Sequence, residues 1–211
     1  MTPITRPAHR RTRIQERNEH KILQAALDVF SRHGFRGATL DQIALAAGLP
    51  KANLLYYFKN KKTIYVRVMQ QTLEDWLDPL TELDPNGDPR EEIRKYITVK
   101  LDMSRRNPKA SCLFANEVLH GAPMIADELS GPLKDLVDQK AAVIRQWIKK
   151  GHLRAVDPYH LIFMIWATTQ HYADFASQIH LVLGKGKSEA VLFRDAEETL
   201  LAVIFDGLMP R

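Results

Sequence analysis

The 211-residue chain has a single cysteine, Cys112, and 45% hydrophobic residues, which exclude an internal disulfide framework and argue against wholesale disorder. The formal net charge is +5, yet residues 1–67 hold 13 lysines and arginines against four acidic residues, so the rest is mildly acidic. The N-terminus lacks the apolar core of a signal peptide, and the longest apolar run, residues 161–167, is too short to span a bilayer. We therefore expect a cytoplasmic protein with no membrane partner. The basic N-terminal part is expected to bind a polyanion. On charge alone, the alternative is that this basic face is merely solvated.

Apolar residues recur with helical spacing along almost the whole chain, and no alternating strand pattern competes with them. A capping box at Thr39 marks one helix start, and Gly34 and Gly48 mark helix ends. Gly131-Pro132 is expected to kink or split the helix that contains it. The expected fold class is all-α with about nine helices, over residues 18–33, 40–47, 51–58, 61–82, 89–106, 109–120, 125–150, 158–182 and 189–208.

The helices group into an N-terminal helix-turn-helix domain and a larger helical domain for ligand binding and dimerisation. Three short helices, with a tight glycine turn between the second and the third, are what a helix-turn-helix requires. We expect a flexible basic arm over residues 1–17, a DNA-binding domain over 18–62, and a ligand-binding and dimerisation domain over 63–211. The arm could enter a minor groove of the DNA or follow its backbone.

The third predicted helix presents polar and small side chains outward. Lysine and tyrosine can hold phosphates, asparagine can pair with adenine, and alanine leaves room for a thymine methyl group. For the two tyrosines, packing against the helical core is the alternative, since one face of so short a helix must be buried. The outward residues are Lys51, Ala52, Asn53, Tyr56 and Tyr57.

The stretch TLDQIALAAGLPKANLLYYFKNKKTIY, residues 39–65, resembles the DNA-binding segment of the TetR family of bacterial regulators. The shared features are the first threonine, the pattern IAxxAG, an aromatic pair ending in phenylalanine, and a lysine three residues later. The resemblance implies that Thr39, Tyr56, Tyr57 and Lys61 contact phosphates, while Lys51, Ala52 and Asn53 lie nearest the bases. The chain departs from the family pattern at Pro50 and Leu55, which puts the individual contacts there in doubt.

The predicted helix that begins at Pro158 is apolar on two faces, which indicates burial on both sides. One face would lie in the domain interior, and the other would join the final helix in a four-helix homodimer interface. Polar residues interrupt its apolar run. Because buried polar side chains need hydrogen-bond partners, we expect these to bind a ligand, neighbouring helices or the other subunit of the dimer. Gln170 offers a donor and an acceptor beside Trp166, which suits a small planar heterocycle. Asp174 is expected to anchor His171 or Tyr172.

The same helix, with the segments HGAPMIADELSGPLK and 73–80, resembles the pyrimidine-utilisation regulators within the TetR family. This resemblance implies a uracil- or thymine-like effector that releases the protein from an operator in double-stranded DNA. Trp76 lies in one matching segment, and burial in the core is the alternative for it. The candidate effector contacts are Trp76, Trp166, Thr169, Gln170 and His171.

Two other functions stay open at this stage. A broad-specificity repressor that senses hydrophobic drugs would have the same fold, although it would need a large pocket with several aromatic and acidic side chains. A small helical enzyme acting on a heterocycle is the second. Because the sequence has no glycine-rich phosphate loop, no GxSxG elbow, no HExxH pattern and no metal-spaced cluster, we expect no catalysis, no cofactor and no metal.

Overall fold

The structure, a computed structural model, describes residues 13–186 and 188–210. These residues form helices and connecting loops without a strand, which confirms the all-α fold class. The chain divides into two compact units, the first ending at Val68 and the second beginning at Met69. That division falls inside a helix, six residues beyond the domain boundary expected from the sequence. None of the described helices is both long and apolar enough to cross a membrane.

The first unit contains α1 (Arg13–Gly37), α2 (Leu40–Ala47), α3 (Lys51–Tyr57) and the start of α4 (Lys61–Thr81). The expectation that α1 begins at residue 18 is wrong, because residues 13–17 of the expected arm already belong to the helix. The remainder of the arm, residues 1–12, lies outside the described residues. Gly34 has φ 65° and ψ 175°, so it kinks α1 where the sequence predicted its end.

A small buried core holds the three short helices together. Ile22 and Phe30 of α1, Ile43 of α2 and Leu54 of α3 have no exposed surface. The predicted capping box is present: the Gln42 backbone N–H donates to the Thr39 hydroxyl at 3.2 Å, and the Thr39 backbone N–H donates to the Gln42 side chain at 2.9 Å. The turn between α2 and α3 depends on Gly48, whose φ of 64° lies in the left-handed region that favours glycine.

The second unit contains the rest of α4 and seven further helices. The predicted bounds of the fourth, fifth, sixth and last helices hold to within one residue. As expected, Gly131-Pro132 interrupts the predicted helix over 125–150, here with a π-helical turn (Leu129–Leu133). The helices are α5 (Pro89–Arg106), α6 (Pro108–Leu119), α7 (Ala126–Glu128), α8 (Lys134–Lys149), α9 (Pro158–Asp174), α10 (Ala176–Leu183) and α11 (Glu189–Leu208).

The prediction of one continuous helix over 158–182 is wrong, because Phe175 leaves the helical region with φ −115° and ψ 27° and separates α9 from α10. No glycine or proline marks this break. It coincides with contacts from α6: the Cys112 thiol donates to the Ala173 carbonyl, and Ser111 binds the Asp174 carboxylate. These tertiary contacts occupy groups at the last turn of α9, where the helix ends.

The core of the second unit lies between α5, α8, α9 and α11 and includes the buried ring of Trp147. The Trp147 indole N–H donates to the Pro85 carbonyl at 3.2 Å, so its one polar group is satisfied. Helix α9 crosses the middle of this unit. It buries Leu161, Ile165 and Ala173 and leaves its opposite side exposed.

Candidate DNA-binding surface and effector site

The first turn of α3 presents Lys51, Ala52 and Asn53 to solvent, while Leu54 is buried beneath them. The Lys51 ammonium forms an ion pair with the Asp41 carboxylate of α2 at 2.9 Å, and both side chains are largely exposed. Pro50 precedes the helix and makes no side-chain cap, in line with the departure from the family pattern noted above. The three residues expected to read bases therefore share one accessible turn.

Two side-chain amides of α1 hold the two tyrosines of α3. Tyr56 is 72% exposed, and Tyr57 is half-buried. The Gln15 amide donates to the Tyr56 hydroxyl oxygen at 3.3 Å, and the Asn18 amide donates to the Tyr57 hydroxyl oxygen at 3.1 Å. Because each tyrosine oxygen accepts here, its own O–H remains free to donate to a phosphate oxygen. Sequence reasoning missed Gln15 and Asn18.

The other two expected phosphate contacts have local roles in the first unit. The Thr39 hydroxyl takes part in the capping box of α2. The Lys61 ammonium donates to the Ala38 carbonyl at 2.7 Å and lies 4.8 Å from the centre of the Phe35 ring. Lys61 therefore stabilises the connection between α1 and α2. A phosphate contact of this residue stays a prediction.

The structure does not bring all five effector candidates together. His171 is exposed, stacks on Phe175 with ring centres 4.8 Å apart, and lines an open groove of about 340 Å³ together with Ile179 and Leu192. Thr169 is fully buried, and its hydroxyl donates to the Ile165 carbonyl of its own helix at 2.7 Å. His171 therefore lies on the exposed side of α9, and the Thr169 hydroxyl, which donates within its own helix, could only accept a hydrogen bond from a ligand.

Trp166 and Gln170 lie one turn apart on α9 and are both half-buried. The Trp166 indole N–H donates to the Tyr96 hydroxyl at 2.5 Å, so only its ring face could meet a ligand. Among the described residues, no hydrogen-bond partner is found for the Gln170 side chain. The sequence predicted an amide free to donate and to accept near an indole ring, and a ligand contact of Gln170 stays a prediction.

Trp76 is buried against a residue that sequence reasoning missed. The ammonium of Lys100, a side chain in α5 that is only 2% exposed, lies 3.9 Å from the centre of the Trp76 ring. Burial lowers the pKa of Lys100 to about 7, although the nearby Asp174 carboxylate acts in the opposite direction. The available sequence signal was that Lys100 falls on the buried stripe of α5, between Ile97 and Leu101.

The Asp174 carboxylate accepts a hydrogen bond from the Ser111 hydroxyl of α6. Burial raises its pKa, while the Ser111 bond and the charges of His171 and Lys100 lower it to a smaller extent. The expectation that Asp174 anchors His171 or Tyr172 is therefore corrected: in the described chain its hydrogen-bond partner is Ser111, and His171 contributes only a favourable charge.

Two rows of side chains spaced four residues apart run along α5 and α9. The Trp166–Tyr96 hydrogen bond joins the rows at one end, and the proximity of Asp174 to Lys100 joins them further along. The Ser104 hydroxyl is buried and has no hydrogen-bond partner within the described chain. Among these residues no three histidine, cysteine or carboxylate side chains are grouped as a metal site would need. We call Lys100, Ser104, Ser111 and Asp174 the interior polar cluster, and Gln170 lies one turn before Asp174 on α9.

Comparison with known proteins gives matches over both units. The family model described as "Bacterial regulatory proteins, tetR family" matches residues 22–68, and that described as "YcdC-like protein, C-terminal region" matches residues 69–211. The HTH-type transcriptional regulator RutR of Escherichia coli K12 is 48% identical over 202 residues, which is 96% of this chain and 95% of the relative. The HTH-type transcriptional repressor NicS of Pseudomonas putida is 26% identical over 153 residues, 72% of this chain and 71% of the relative.

Solved structures share the fold at lower identity. A TetR-like transcriptional regulator from Rhodococcus sp. RHA1 superimposes with a TM-score of 0.66 at 22% identity, over 94% of this chain and all of the other. The fatty acid degradation regulator FadR from Bacillus halodurans gives 0.64 at 19% identity, over 87% and 94%.

These relatives are transcriptional regulators, which confirms the expectation that the chain is not an enzyme. Regulators of this kind bind DNA operators and small-molecule effectors and act as dimers. The helix-turn-helix of the first unit, the helical second unit and the near full-length identity to a known regulator lead to one conclusion: the chain belongs to the TetR family and is a helix-turn-helix transcriptional regulator.

Proposed function

We propose that the protein represses genes of pyrimidine catabolism and leaves its operator when a uracil- or thymine-like effector binds in the second unit. The observation that carries the effector is the amide of Gln170, which has no hydrogen-bond partner in the described chain and lies one turn from Trp166 and from Asp174 on α9. Identity of 48% to RutR extends through this part of the chain and supports the same assignment. We expect the protein to act in the cytoplasm.

The chemistry of a pyrimidinedione suits these residues. Its ring alternates N–H donors with carbonyl acceptors, and a primary amide can match one of each. The flat ring can lie against an indole face, as Trp166 or Trp76 would offer. A drug-sensing repressor would instead need a large pocket lined by aromatic and acidic groups, whereas the interior polar cluster contains one carboxylate, one ammonium and two hydroxyls.

For DNA recognition, two subunits would place their α3 helices in successive major grooves of a roughly palindromic operator. Lys51, Ala52 and Asn53 would then face base edges, which requires Lys51 to leave Asp41. Tyr56 and Tyr57 would donate to phosphates while the α1 amides hold their oxygens. Thr39 and Lys61 would complete the phosphate contacts.

The homodimer would form through the exposed sides of α9, α10 and α11, which replace the two last helices expected from the sequence. These helices carry exposed large apolar side chains: Phe163, Met164, Phe175, Leu181, Val182, Leu183 and Val203. Since an apolar surface of this extent marks an interaction site, a second copy of the chain would cover it. His171 shares this face, so we assign it to the subunit interface and remove it from the effector site.

Release from DNA requires the effector to prefer one of two conformations, since a ligand of equal affinity for both shifts nothing. Helix α4 is the element through which this preference would act. It begins at Lys61, which holds the α1–α2 connection, and it also contains Trp76. Effector binding against Trp76 would favour a shifted α4 in which the two reading helices no longer match the groove spacing.

Calorimetric titration with uracil, thymine and their dihydro forms tests the proposal, together with operator release followed by fluorescence anisotropy. We expect Gln170→Ala to weaken uracil binding at least tenfold and to raise the uracil concentration needed for release by the same factor. Gln146→Ala, an exposed glutamine of α8, is the matched control and should behave as the wild type. Unchanged uracil affinity and release in Gln170→Ala would disprove the assignment of the site.

A further inference from the structure

We infer that Lys100 and Asp174 form the recognition centre of the effector site and select a small neutral ligand in which a carbonyl lies next to an N–H, as in a cyclic imide. This inference rests on the proposed function and adds to it. Lys100 lies outside the segments that resemble the family, and Asp174 was expected only to anchor a neighbouring side chain. It identifies the charged pair that discriminates between ligands, and it predicts which pyrimidines the protein rejects.

A role in stability alone does not account for the burial of Lys100. Lysine is almost never fully buried unless it is paired, and replacing a buried ion pair by apolar residues is often neutral or stabilising. Apolar residues flank Lys100 on the buried stripe of α5, and an apolar side chain there would complete the stripe. The ammonium instead lies over the Trp76 ring and near a carboxylate that is itself half-buried.

Further polar groups lie on the same two helices. Gln170 lies between Trp166 and Asp174 in the row on α9, one turn from each, and Lys100 lies between Tyr96 and Ser104 in the row on α5. The hydrogen bond between Trp166 and Tyr96 joins the first members of the two rows. The buried Ser104 hydroxyl, 1% exposed, has no partner in the described chain, so a polar ligand group there would regain a hydrogen bond.

Together these groups match one edge of an imide. The Lys100 ammonium can donate to a ring carbonyl, and the Asp174 carboxylate can accept from the adjacent ring N–H. Gln170 can contact the remaining carbonyl or N–H, and Trp76 offers a face to the ring. While Lys100 is protonated and Asp174 is ionised, the pair carries one positive and one negative charge, so it suits a ligand with no net charge. A ligand carboxylate would meet Asp174, and a ligand cation would meet Lys100.

The test measures the affinity of the full-length protein for uracil and for its 6-carboxylate, orotate, by calorimetry. The variants are Lys100→Met and Asp174→Asn, and Lys95→Met, an exposed lysine on the same helix, is the matched control. Thermal melting and operator binding without ligand show that each variant is folded. Should Lys100→Met not fold, Asp174→Asn still decides, because it keeps the shape of the side chain and an acceptor for Ser111.

We expect wild type and Lys95→Met to bind uracil and to bind orotate far more weakly. Lys100→Met should lose at least tenfold in uracil affinity. Asp174→Asn should shift the ratio of orotate to uracil affinity at least tenfold toward orotate. The variant removes the negative charge that repels the orotate carboxylate and leaves the positive charge of Lys100 to attract it. Wild-type uracil affinity in Lys100→Met, or an unchanged ratio in Asp174→Asn, would overturn the inference and leave the proposed function intact. Failure of the wild type to bind any uracil derivative would overturn both.

Discussion

The side-chain amide of Asn18 donates to the hydroxyl oxygen of Tyr57 at 3.1 Å, which fixes a tyrosine of the reading helix against the first helix. Gln15 makes the equivalent contact with Tyr56, one turn earlier on α1. Each amide uses a lone pair of the tyrosine oxygen and thereby aims the O–H away from α1. If the two tyrosines contact phosphates as proposed, their geometry depends on α1 residues that do not themselves need to touch DNA.

Asn18→Ala should therefore weaken operator binding several-fold, since a neutral hydrogen bond contributes about 0.5–1.5 kcal/mol. In a Tyr57→Phe background, which lacks the hydroxyl, the same substitution should have almost no effect. A double-mutant cycle measured by fluorescence anisotropy gives this coupling. Gln24→Ala, an exposed amide on α1, serves as the control. Equal losses from Asn18→Ala in both backgrounds would show that Asn18 acts independently of Tyr57.

Lys61→Ala should lower the stability of the first unit as well as its affinity for DNA. Its ammonium donates to the Ala38 carbonyl and lies over Phe35, and hydrogen bonds from charged groups contribute about 1.5–3 kcal/mol. We expect a loss of about 1–2 kcal/mol in urea unfolding followed by circular dichroism. The neighbouring Lys62→Ala, which is exposed, should lose almost nothing.

The salt dependence of operator binding separates the two roles of Lys61. If the ammonium also contacts a phosphate, Lys61→Ala reduces the slope of log Kd against log salt by about 1. A slope equal to that of the wild type, together with reduced stability, would leave Lys61 with the structural role only. Stability equal to that of Lys62→Ala would contradict the role at the α1–α2 connection.

Much of the fold could be predicted because its signals are local. The capping box at Thr39, the left-handed turn at Gly48 and the break at Gly131-Pro132 each depend on residues next to one another in sequence, and each is present. The break at Phe175 was missed because it coincides with contacts from Ser111 and Cys112, more than 60 residues earlier in the chain. Local sequence patterns do not indicate contacts between residues so far apart in the chain.

The residues of the proposed effector site could be predicted less completely for a related reason. Gln170 and Trp166 stood out because they lie within one apolar run. Lys100, in contrast, lies over the ring of Trp76 in another helix and interacts with the charge of Asp174 in a third. The interruption of the α5 stripe by a lysine was a visible signal, yet its meaning depends on what packs against it. The exposure of His171 was not foreseen because the sequence does not show which side of α9 faces the interior.

Asp41→Asn should tighten operator binding. The Asp41 carboxylate holds the Lys51 ammonium at 2.9 Å in the free protein, and this exposed pair must open before Lys51 can meet DNA. Since an exposed ion pair contributes about 0–1 kcal/mol, the expected gain is two- to fivefold at low salt. Asp78→Asn, which removes the same charge from an exposed position in the second unit, should give a smaller gain in the same assay. Affinity at or below that of the wild type would show that the pair does not compete with DNA.

The stability of the second unit should depend on pH through Lys100. Its pKa is lowered from 10.5 to about 7 by burial, so between these values the unfolded chain binds one proton more than the folded chain. Linkage then requires the unfolding free energy to rise with pH across this window, by at most about 1.4 kcal/mol per pH unit. Below pH 7, Lys100 is protonated in both the folded and the unfolded chain, so its contribution to the pH dependence of stability ends.

Urea unfolding of the wild type and of Lys100→Met at pH 7, 8.5 and 10 measures this contribution, because the other titrating groups largely cancel in the difference. We expect the stability of the wild type relative to Lys100→Met to increase steadily with pH. The difference between wild type and Lys95→Met, an exposed position on the same helix, should stay constant. A constant difference for Lys100→Met as well would mean that Lys100 stays charged in the folded chain.

Val203→Arg should convert the dimer into a monomer. Val203 is 66% exposed on α11, one of the three helices that we assign to the subunit interface, and a charge in a buried apolar interface is costly. Leu119→Arg makes an equivalent change at a residue of α6 that is 77% exposed and lies outside the assigned interface. Sedimentation velocity should give a monomer for the first variant and a dimer for the second. The monomer should also lose most of its operator affinity, because one subunit reaches only one half-site. If Val203→Arg stays dimeric, α11 does not form the interface and the assignment of that face is wrong.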